Sequence, residues 1–136
     1  MTVSEAMSEL GRLDAAASLI PNPQLITRIL VAVFSTEQVE DVVENALLPA
    51  LEGSGRIVLS TSTCDPDRLA ALAGRVAPRG LRLVEAPVSG SSVQVRDGQG
   101  VGLIGGDAAA ADEAKDILDA LFPVCFYMGE AGNGGR

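Results

Sequence analysis

The chain has 136 residues, of which 47% are hydrophobic and 21% charged, a composition typical of one folded domain and not of a disordered segment. A net charge of −8 without a basic stripe excludes the electrostatic surface that nucleic acids or anionic membranes require. Two cysteines, Cys64 and Cys125, and no histidine provide neither a disulfide framework nor a metal site. We therefore predict no nucleic-acid partner, no membrane partner and no bound metal.

The first residues of the chain and the length of its apolar runs predict the cellular compartment of the protein. The first residues, M-T-V-S-E-A-M, lack the basic and apolar parts of a signal peptide. The longest uninterrupted apolar run, Ile29 to Phe34, is far too short to span a bilayer. We predict a cytoplasmic protein, and an organellar targeting peptide upstream of residue 1 would be invisible in this sequence.

Apolar runs of strand length alternate with capped helices along the chain. Residues 3–10 are compatible with a short helix, and Pro21-Asn22-Pro23 breaks the chain before the first predicted strand, Ile29 to Phe34. Ser35-Thr36 then offers an N-cap for a helix. The predicted buried positions of that helix are Val39, Val42, Val43, Ala46 and Leu47.

The second half continues the same pattern. Further strands are predicted at Arg56 to Ser60, Leu81 to Val84, Val101 to Ile104 and Val124 to Met128. Helices are predicted to begin at Asp65-Pro66 and at Asp107. Because the spacings suit right-handed βαβ crossovers, we predict one doubly wound α/β domain over residues 1–136, with a mainly parallel sheet and helices on both faces.

Two polar turns follow predicted strands, at the edge where open α/β sheets bind ligands. Ser89, Gly90 and Ser91 could present hydroxyl and N–H groups to a carboxylate or to a reacting hydroxyl. From the residues alone, an ordinary serine-rich turn explains them equally well. Ser62 and Thr63 lie between a strand and the next helix, and here a helix-capping turn is the favoured explanation.

Four motifs in the second half carry a family resemblance. They are E-A-P-V-S-G-S at Glu85 to Ser91, D-G-Q at Asp97 to Gln99, G-G-D at Gly105 to Asp107, and F-Y-M-G-E-A-G-N-G at Phe126 to Gly134. Together they resemble the β-hydroxyacid dehydrogenases of 3-hydroxyisobutyrate dehydrogenase type, and most closely their glyoxylate/succinic semialdehyde reductase branch. The resemblance implies an incomplete Rossmann-like cofactor domain that uses NADP, with NAD as the alternative, and a small aldehyde or hydroxy acid as substrate.

The resemblance also implies roles for individual residues. Ser89 and Gly90 correspond to the Ser-Gly pair that contacts the substrate in the family, and Ser91 stands where most members have a second glycine. Thr63 corresponds to the threonine that approaches the nicotinamide. Phe34 and Ser35 correspond to residues that touch the dinucleotide, although a strand end followed by an N-cap explains both. The later glycines are predicted to form a turn or hinge and not a phosphate cradle: Gly129, Gly132, Gly134 and Gly135.

Two parts of a complete family member are missing from the sequence. The family opens with a GxGxxG unit, which is absent before Phe34, and its proton-transferring lysine would fall two residues beyond Arg136. We therefore expect no catalytic residue in this chain and no activity from it alone. A non-catalytic binding module that retains part of the dehydrogenase fold is the alternative function. Because strands of the family's sheet are missing, we also expect self-association or a homo-oligomer through an exposed sheet edge.

Overall fold

The computed structural model describes residues 28–135, which form a mixed six-stranded sheet with helices on both faces. The α/β fold class is thereby confirmed. The helix expected at residues 3–10 and the break at Pro21-Asn22-Pro23 lie outside the described residues. The strands are β1 (Arg28–Val31), β2 (Arg56–Ser60), β3 (Leu81–Glu85), β4 (Val88–Ser89), β5 (Val101–Gly106) and β6 (Val124–Gly129).

The helices begin at the capping residues that the sequence predicts. The side chains of Ser35, Asp65 and Asp107 each accept a hydrogen bond from the first turn of the helix that follows. No helix within residues 28–135 is long and apolar enough to cross a membrane. The helices are α1 (Thr36–Asp41), which continues through a π-helical turn (Val42–Leu47) into α2 (Leu48–Leu51), then α3 (Pro66–Val76), α4 (Ser92–Arg96), α5 (Ala108–Glu113) and α6 (Lys115–Leu121).

The sheet has the strand order β1-β2-β3-β5-β4, and β6 pairs with β5. β1, β2 and β3 are parallel, so the predicted parallel sheet is correct for these strands. β5 runs antiparallel to both β3 and β4, and parallel to β6. β5 is antiparallel to β3 because the connection between them, β4 and the short α4, turns the chain back along the sheet. A parallel neighbour would need a long crossover connection instead.

The first strand ends earlier than the sequence predicts. The apolar run continues to Phe34, but β1 ends at Val31 and the side chain of Phe34 is 79% exposed. The N–H of Val33 donates to Oγ of Ser62, at 2.8 Å, and not to a neighbouring strand. A side chain from the turn after β2 thus satisfies a backbone group that would otherwise continue the strand.

β2 separates two hydrophobic cores. Val58 belongs to the first core, which α1, α2 and α3 cover, whereas Ile57 and Leu59 belong to the second core, which α5 and α6 cover. All three side chains are 2% exposed or less. A strand buried on both faces needs a continuous apolar sequence, which explains why I-V-L occurs here without alternation.

Gly80 is a position where the fold requires glycine. Its φ is +79°, and a Cβ at this residue would lie 2.5 Å from Cα of Gly53 in the neighbouring turn. Gly98 has a similar φ of +76°, but no atom lies within 4 Å of its hypothetical Cβ. Both Gly80→Ala and Gly98→Ala place a side chain in a left-handed backbone conformation, which is unfavourable, but only Gly80→Ala also creates a clash. We therefore predict that Gly80→Ala lowers the free energy of unfolding more than Gly98→Ala does, by roughly 1 kcal/mol or more. Urea unfolding of the two variants checks this, and equal losses would contradict it.

Candidate functional site

The carboxyl ends of β1, β2 and β3 meet at one edge of the sheet, because the three strands are parallel. Phe34 and Ser35 follow β1, Thr63 follows β2, and the turn of Ser89, Gly90 and Ser91 lies beyond β3. We call this the carboxyl edge. It contains every residue for which the sequence predicts a binding role, and ligands of open α/β sheets bind at such an edge.

The predicted substrate turn lies on the β5 side of the carboxyl edge. The N–H of Ala86 still donates to the carbonyl of Ser60 at 2.7 Å, so the chain stays beside β2 immediately after β3. Val88 and Ser89 then pair with β5, opposite Gly102 and Val101. The turn therefore diverges from Phe34 and Thr63, which follow β1 and β2 at the other side of the edge.

Ser91 caps the short helix α4, which the sequence analysis missed. Its Oγ accepts from the N–H of Gln94 at 3.2 Å, and its own N–H donates to Oε1 of Gln94 at 2.7 Å. All residues of α4 are exposed, so no apolar periodicity marks the helix, although the S-S-V-Q spacing is that of a capping box. Ser89 is also exposed, and within residues 28–135 its hydroxyl has no hydrogen-bond partner. The turn therefore offers the Ser89 hydroxyl to a ligand.

Phe34 and Ser35 form the turn that enters α1. Ser35 is the N-cap, as predicted, and its Oγ accepts from the N–H of Gln38 at 3.2 Å. Oε1 of Gln38 accepts in return from the N–H groups of Phe34, at 2.8 Å, and Ser35, at 3.2 Å. The side chain of Phe34 is thus available to a ligand, whereas these two N–H groups are already bonded.

Buried hydroxyls support the turn that contains Thr63. Ser62 bonds to the N–H of Val33, and Oγ1 of Thr36 accepts from the N–H of Asp65 at 2.9 Å. The side chains of Ser62 and Thr36 are both buried, whereas Thr63, which directly follows Ser62, is exposed. The bond of Ser62 could not be predicted from its capping position, because its partner Val33 lies 29 residues away, just after β1. Thr63 is therefore presented to solvent on a fixed turn.

The glycine loop (residues 130–135) surrounds a carboxylate that the sequence analysis did not single out. Glu85, the last residue of β3, is 2% exposed. Its Oε1 accepts from the N–H groups of Gly132, at 2.5 Å, and Gly134, at 2.8 Å. The loop is a turn, as predicted, and two of its N–H groups bind this glutamate and not a phosphate. One acidic residue at the end of an apolar strand, L-R-L-V-E, is the signal that could have indicated this contact.

Cys64 follows β2 at the carboxyl edge, and its thiol is partly buried. Burial raises the pKa of its thiol above the ordinary value, and the nearby carboxylates of Glu85 and Glu40 act in the same direction. The hydroxyls of Thr36 and Ser60 oppose this shift. A raised pKa favours the thiol over the nucleophilic thiolate, so these surroundings do not activate Cys64.

Parallel strands covered by helices on both faces, with a polar carboxyl edge, define a Rossmann-like nucleotide-binding domain. In the part of the chain that the structure describes, no group of three or more His, Cys, Asp or Glu residues is placed to hold a metal ion. A family model described as the NAD binding domain of 6-phosphogluconate dehydrogenase matches residues 3–129, and the chain belongs to this family.

Curated proteins match part of the chain in sequence, an enzyme and a nuclear factor among them. Glyoxylate/succinic semialdehyde reductase 1 of Arabidopsis thaliana is 38% identical over 85 residues, which are 62% of this chain and 29% of the plant protein. Cytokine-like nuclear factor N-PAC of Xenopus tropicalis is 37% identical over 82 residues, which are 60% of this chain and 15% of that protein. The chain thus spans less than a third of the length of either relative.

Solved structures share the fold. The chain superposes on 3-hydroxyisobutyrate dehydrogenase of Salmonella typhimurium with a TM-score of 0.72 and 23% identity, over 82% of this chain and 39% of that chain. It superposes on a structure solved in complex with NADP+ and 2-OPP with a TM-score of 0.72 and 26% identity, over 81% of this chain and 39% of that chain. The Rossmann-like fold and the resemblance to the hydroxyacid dehydrogenases are thereby confirmed.

Substitutions at Ser62 and Thr63 test whether the buried hydroxyl of Ser62 stabilises the turn that contains Thr63. We predict that Ser62→Ala lowers the free energy of unfolding by about 1–3 kcal/mol, because the N–H of Val33 loses its acceptor. Thr63→Ala should change it by less than about 0.5 kcal/mol, because the side chain is exposed. Chemical denaturation of both variants measures the difference, and a neutral Ser62→Ala would show that the bond does not hold the turn.

Proposed function

We propose that the chain is part of an NAD(P)-dependent oxidoreductase that transfers hydride between NADP(H) and a small aldehyde or hydroxy acid. The observation that carries the proposal is the carboxyl edge, where exposed Phe34 and Thr63 lie on one side and the free hydroxyl of Ser89 lies on the other. The plant relative supports glyoxylate or succinic semialdehyde as substrate, because its name states that it reduces these compounds.

The carboxyl edge suits the nicotinamide end of a dinucleotide. Phe34 offers an exposed aromatic face and Thr63 an exposed hydroxyl, while Ser89 and Gly90 would hold the polar group of the substrate. When bound, NADP(H), or NAD(H) as the alternative, supplies the hydride. Residues 28–135 offer less to the phosphates, because the N–H groups at the start of α1 bond to Gln38 and two in the glycine loop bond to Glu85. This supports the expectation that the chain alone is not a complete enzyme.

Lys115, the single lysine of the sequence, lies away from the carboxyl edge. It begins α6 and pairs with Asp119 at 2.6 Å. The adjacent Asp116 pairs with Arg28, which holds the pKa of Asp116 below its usual value. Because Arg28 is the first residue of β1, this end of α6 lies at the amino edge of the sheet. Lys115 is therefore not placed to act as general acid for a substrate at the carboxyl edge, in agreement with the expectation that the family's lysine lies beyond Arg136.

The alternative function is a non-catalytic binding module that keeps the dehydrogenase fold. The observation that favours it is the similarity to N-PAC, a protein whose name describes a nuclear factor and not an enzyme. The two functions differ in what the carboxyl edge does, since only an oxidoreductase needs Ser89 and Thr63 to face a substrate and a dinucleotide.

A chimera tests the oxidoreductase. Residues 28–135 are placed in the corresponding part of the plant reductase, and we expect NADPH-dependent reduction of glyoxylate or succinic semialdehyde. Ser89→Ala in the chimera should lower kcat/KM for the aldehyde by about tenfold to a hundredfold, because a substrate polar group loses a bond worth about 1–3 kcal/mol. Thr63→Ala is the matched variant and should weaken the use of NADPH more than that of the aldehyde.

Steady-state kinetics with each substrate varied in turn distinguishes these outcomes. An unchanged kcat/KM for the aldehyde in Ser89→Ala would show that the turn does not bind the substrate. Reduction by the isolated chain well above a buffer control would show that residues 28–135 supply more of the catalytic site than we infer. A chimera that folds but reduces neither aldehyde would favour the binding module.

We also propose that the isolated chain self-associates through an exposed sheet edge. Among the described residues, β1 pairs only with β2, and Leu30 on this strand is half-exposed. β6 is a second edge strand, on which Phe126 and Met128 are half-exposed. Apolar edges of this kind recruit other chains.

Sedimentation of the isolated chain at a concentration of roughly tens of micromolar should therefore show dimers or larger species. Leu30→Thr and Phe126→Thr identify the edge involved, because each places a polar side chain on only one of the two strands. A monodisperse monomer in the unchanged chain would contradict the proposal.

A further inference from the structure

Glu85 joins three segments of the carboxyl edge. As the last residue of β3 it leads directly into the segment that carries Ser89, and its side chain bonds to the glycine loop through Gly132 and Gly134. The loop in turn rests on the start of α3, since a Cβ at Gly132 would lie 2.6 Å from the carbonyl oxygen of Pro66. The glycine loop and the turn that follows Thr63 therefore lie against one carboxylate, and the segment that leads to the substrate turn begins at the same residue.

The space around this carboxylate admits no additional side chain. Gly105 lies opposite Glu85 in the sheet, and a Cβ at Gly105 would overlap Oε1 of Glu85. A Cβ at Gly134 would overlap the carbonyl oxygen of Leu103 and lie 3.2 Å from Cδ of Glu85. Gly132 has a φ of +96°, which side chains rarely allow. The glycines are thus required by close packing around this carboxylate.

The carboxylate and the loop depend on each other. A carboxylate that is 2% exposed is costly unless hydrogen bonds replace its water, and the N–H groups of Gly132 and Gly134 supply such bonds. Bonds to a charged acceptor are stronger than bonds to a neutral one. The loop is therefore held in one position by a residue 47 and 49 positions away in sequence.

We propose that Glu85 is a positioning residue that fixes the glycine loop against the start of α3, and so holds the Thr63 side and the Ser89 side of the carboxyl edge in a set arrangement. Its effect on catalysis rests on the proposed oxidoreductase function, whereas its effect on the loop does not. Glu85 acts through the glycine loop and the turn before α3, and it touches neither cofactor nor substrate.

Amide hydrogen exchange in the full 136-residue chain tests the effect on the loop. The amides of Gly132 and Gly134, followed by NMR, should be protected, and Glu85→Gln should accelerate their exchange by about tenfold or more because the charged acceptor is lost. Glu130→Gln removes an exposed carboxylate from the same loop and should leave both rates unchanged. Glu85→Asp keeps the charge and should accelerate exchange less than Glu85→Gln.

Two results would overturn the proposal. One is exchange of Gly132 and Gly134 in the unchanged chain at the rate of an unstructured peptide, a measurement that decides the matter even if Glu85→Gln fails to fold. The other is a folded Glu85→Gln variant in which both amides exchange as slowly as before.

The chimera tests the catalytic consequence. Glu85→Gln should lower kcat by about tenfold, with the KM values for NADPH and aldehyde changed by less than about twofold, because geometry is lost and no ligand contact is removed. A raised KM with unchanged kcat would show direct ligand contact and overturn the positioning role. If the chimera with Glu85 intact shows no reduction at all, the oxidoreductase function fails, while the exchange rates still decide whether Glu85 holds the loop.

Discussion

The burial of β2 on both faces is the constraint on which the rest of the described structure depends. Val58 packs beneath one helical layer, and Ile57 and Leu59 pack against the other. Full burial of such a side chain stabilises a fold by about 1.5–3 kcal/mol, so neither layer is dispensable. Helices on both faces require crossover connections, and crossovers make the neighbouring strands parallel. The carboxyl ends of β1 to β3 therefore gather at one edge, which is where the residues with predicted binding roles lie.

Polar burial is concentrated at that same edge. Among the described residues, the buried polar or charged side chains are those of Thr36, Ser60, Ser62 and Glu85, and each lies at or just after the end of β1, β2 or β3. Three of them accept hydrogen bonds from backbone N–H groups of other segments. Thr36, Ser62 and Glu85 thus form a hydrogen-bonded frame beneath the exposed residues at the edge, whereas the buried hydroxyl of Ser60 has no partner among the described residues. Such a frame limits the positions that the exposed side chains can take.

The sequence predicts the features that depend on local pattern. The caps at Ser35, Asp65 and Asp107 were predicted correctly because an N-cap is encoded within a few residues. The edge at which the candidate residues lie follows from their positions after strands, although their binding roles stay predictions. The reversal of β5 and the bond between Glu85 and the glycine loop could not be predicted, because they depend on contacts between distant segments. Helix α4 was missed for another reason, since its exposed residues have no apolar repeat.

The place of Lys115 gives the molecule a chemical handle on the side away from its carboxyl edge. No other lysine occurs in the chain, and the side chain of Lys115 is 67% exposed. Asp119 raises the pKa of Lys115, so acylation of its amine needs alkaline solution, in which the α-amino group also reacts. A fluorophore or a surface linker attached at Lys115 would be separated from the carboxyl edge by the length of a β-strand, roughly 15 Å for five residues. Chains coupled through Lys115, and not through the α-amino group, would carry Phe34, Thr63 and Ser89 on the side away from the surface.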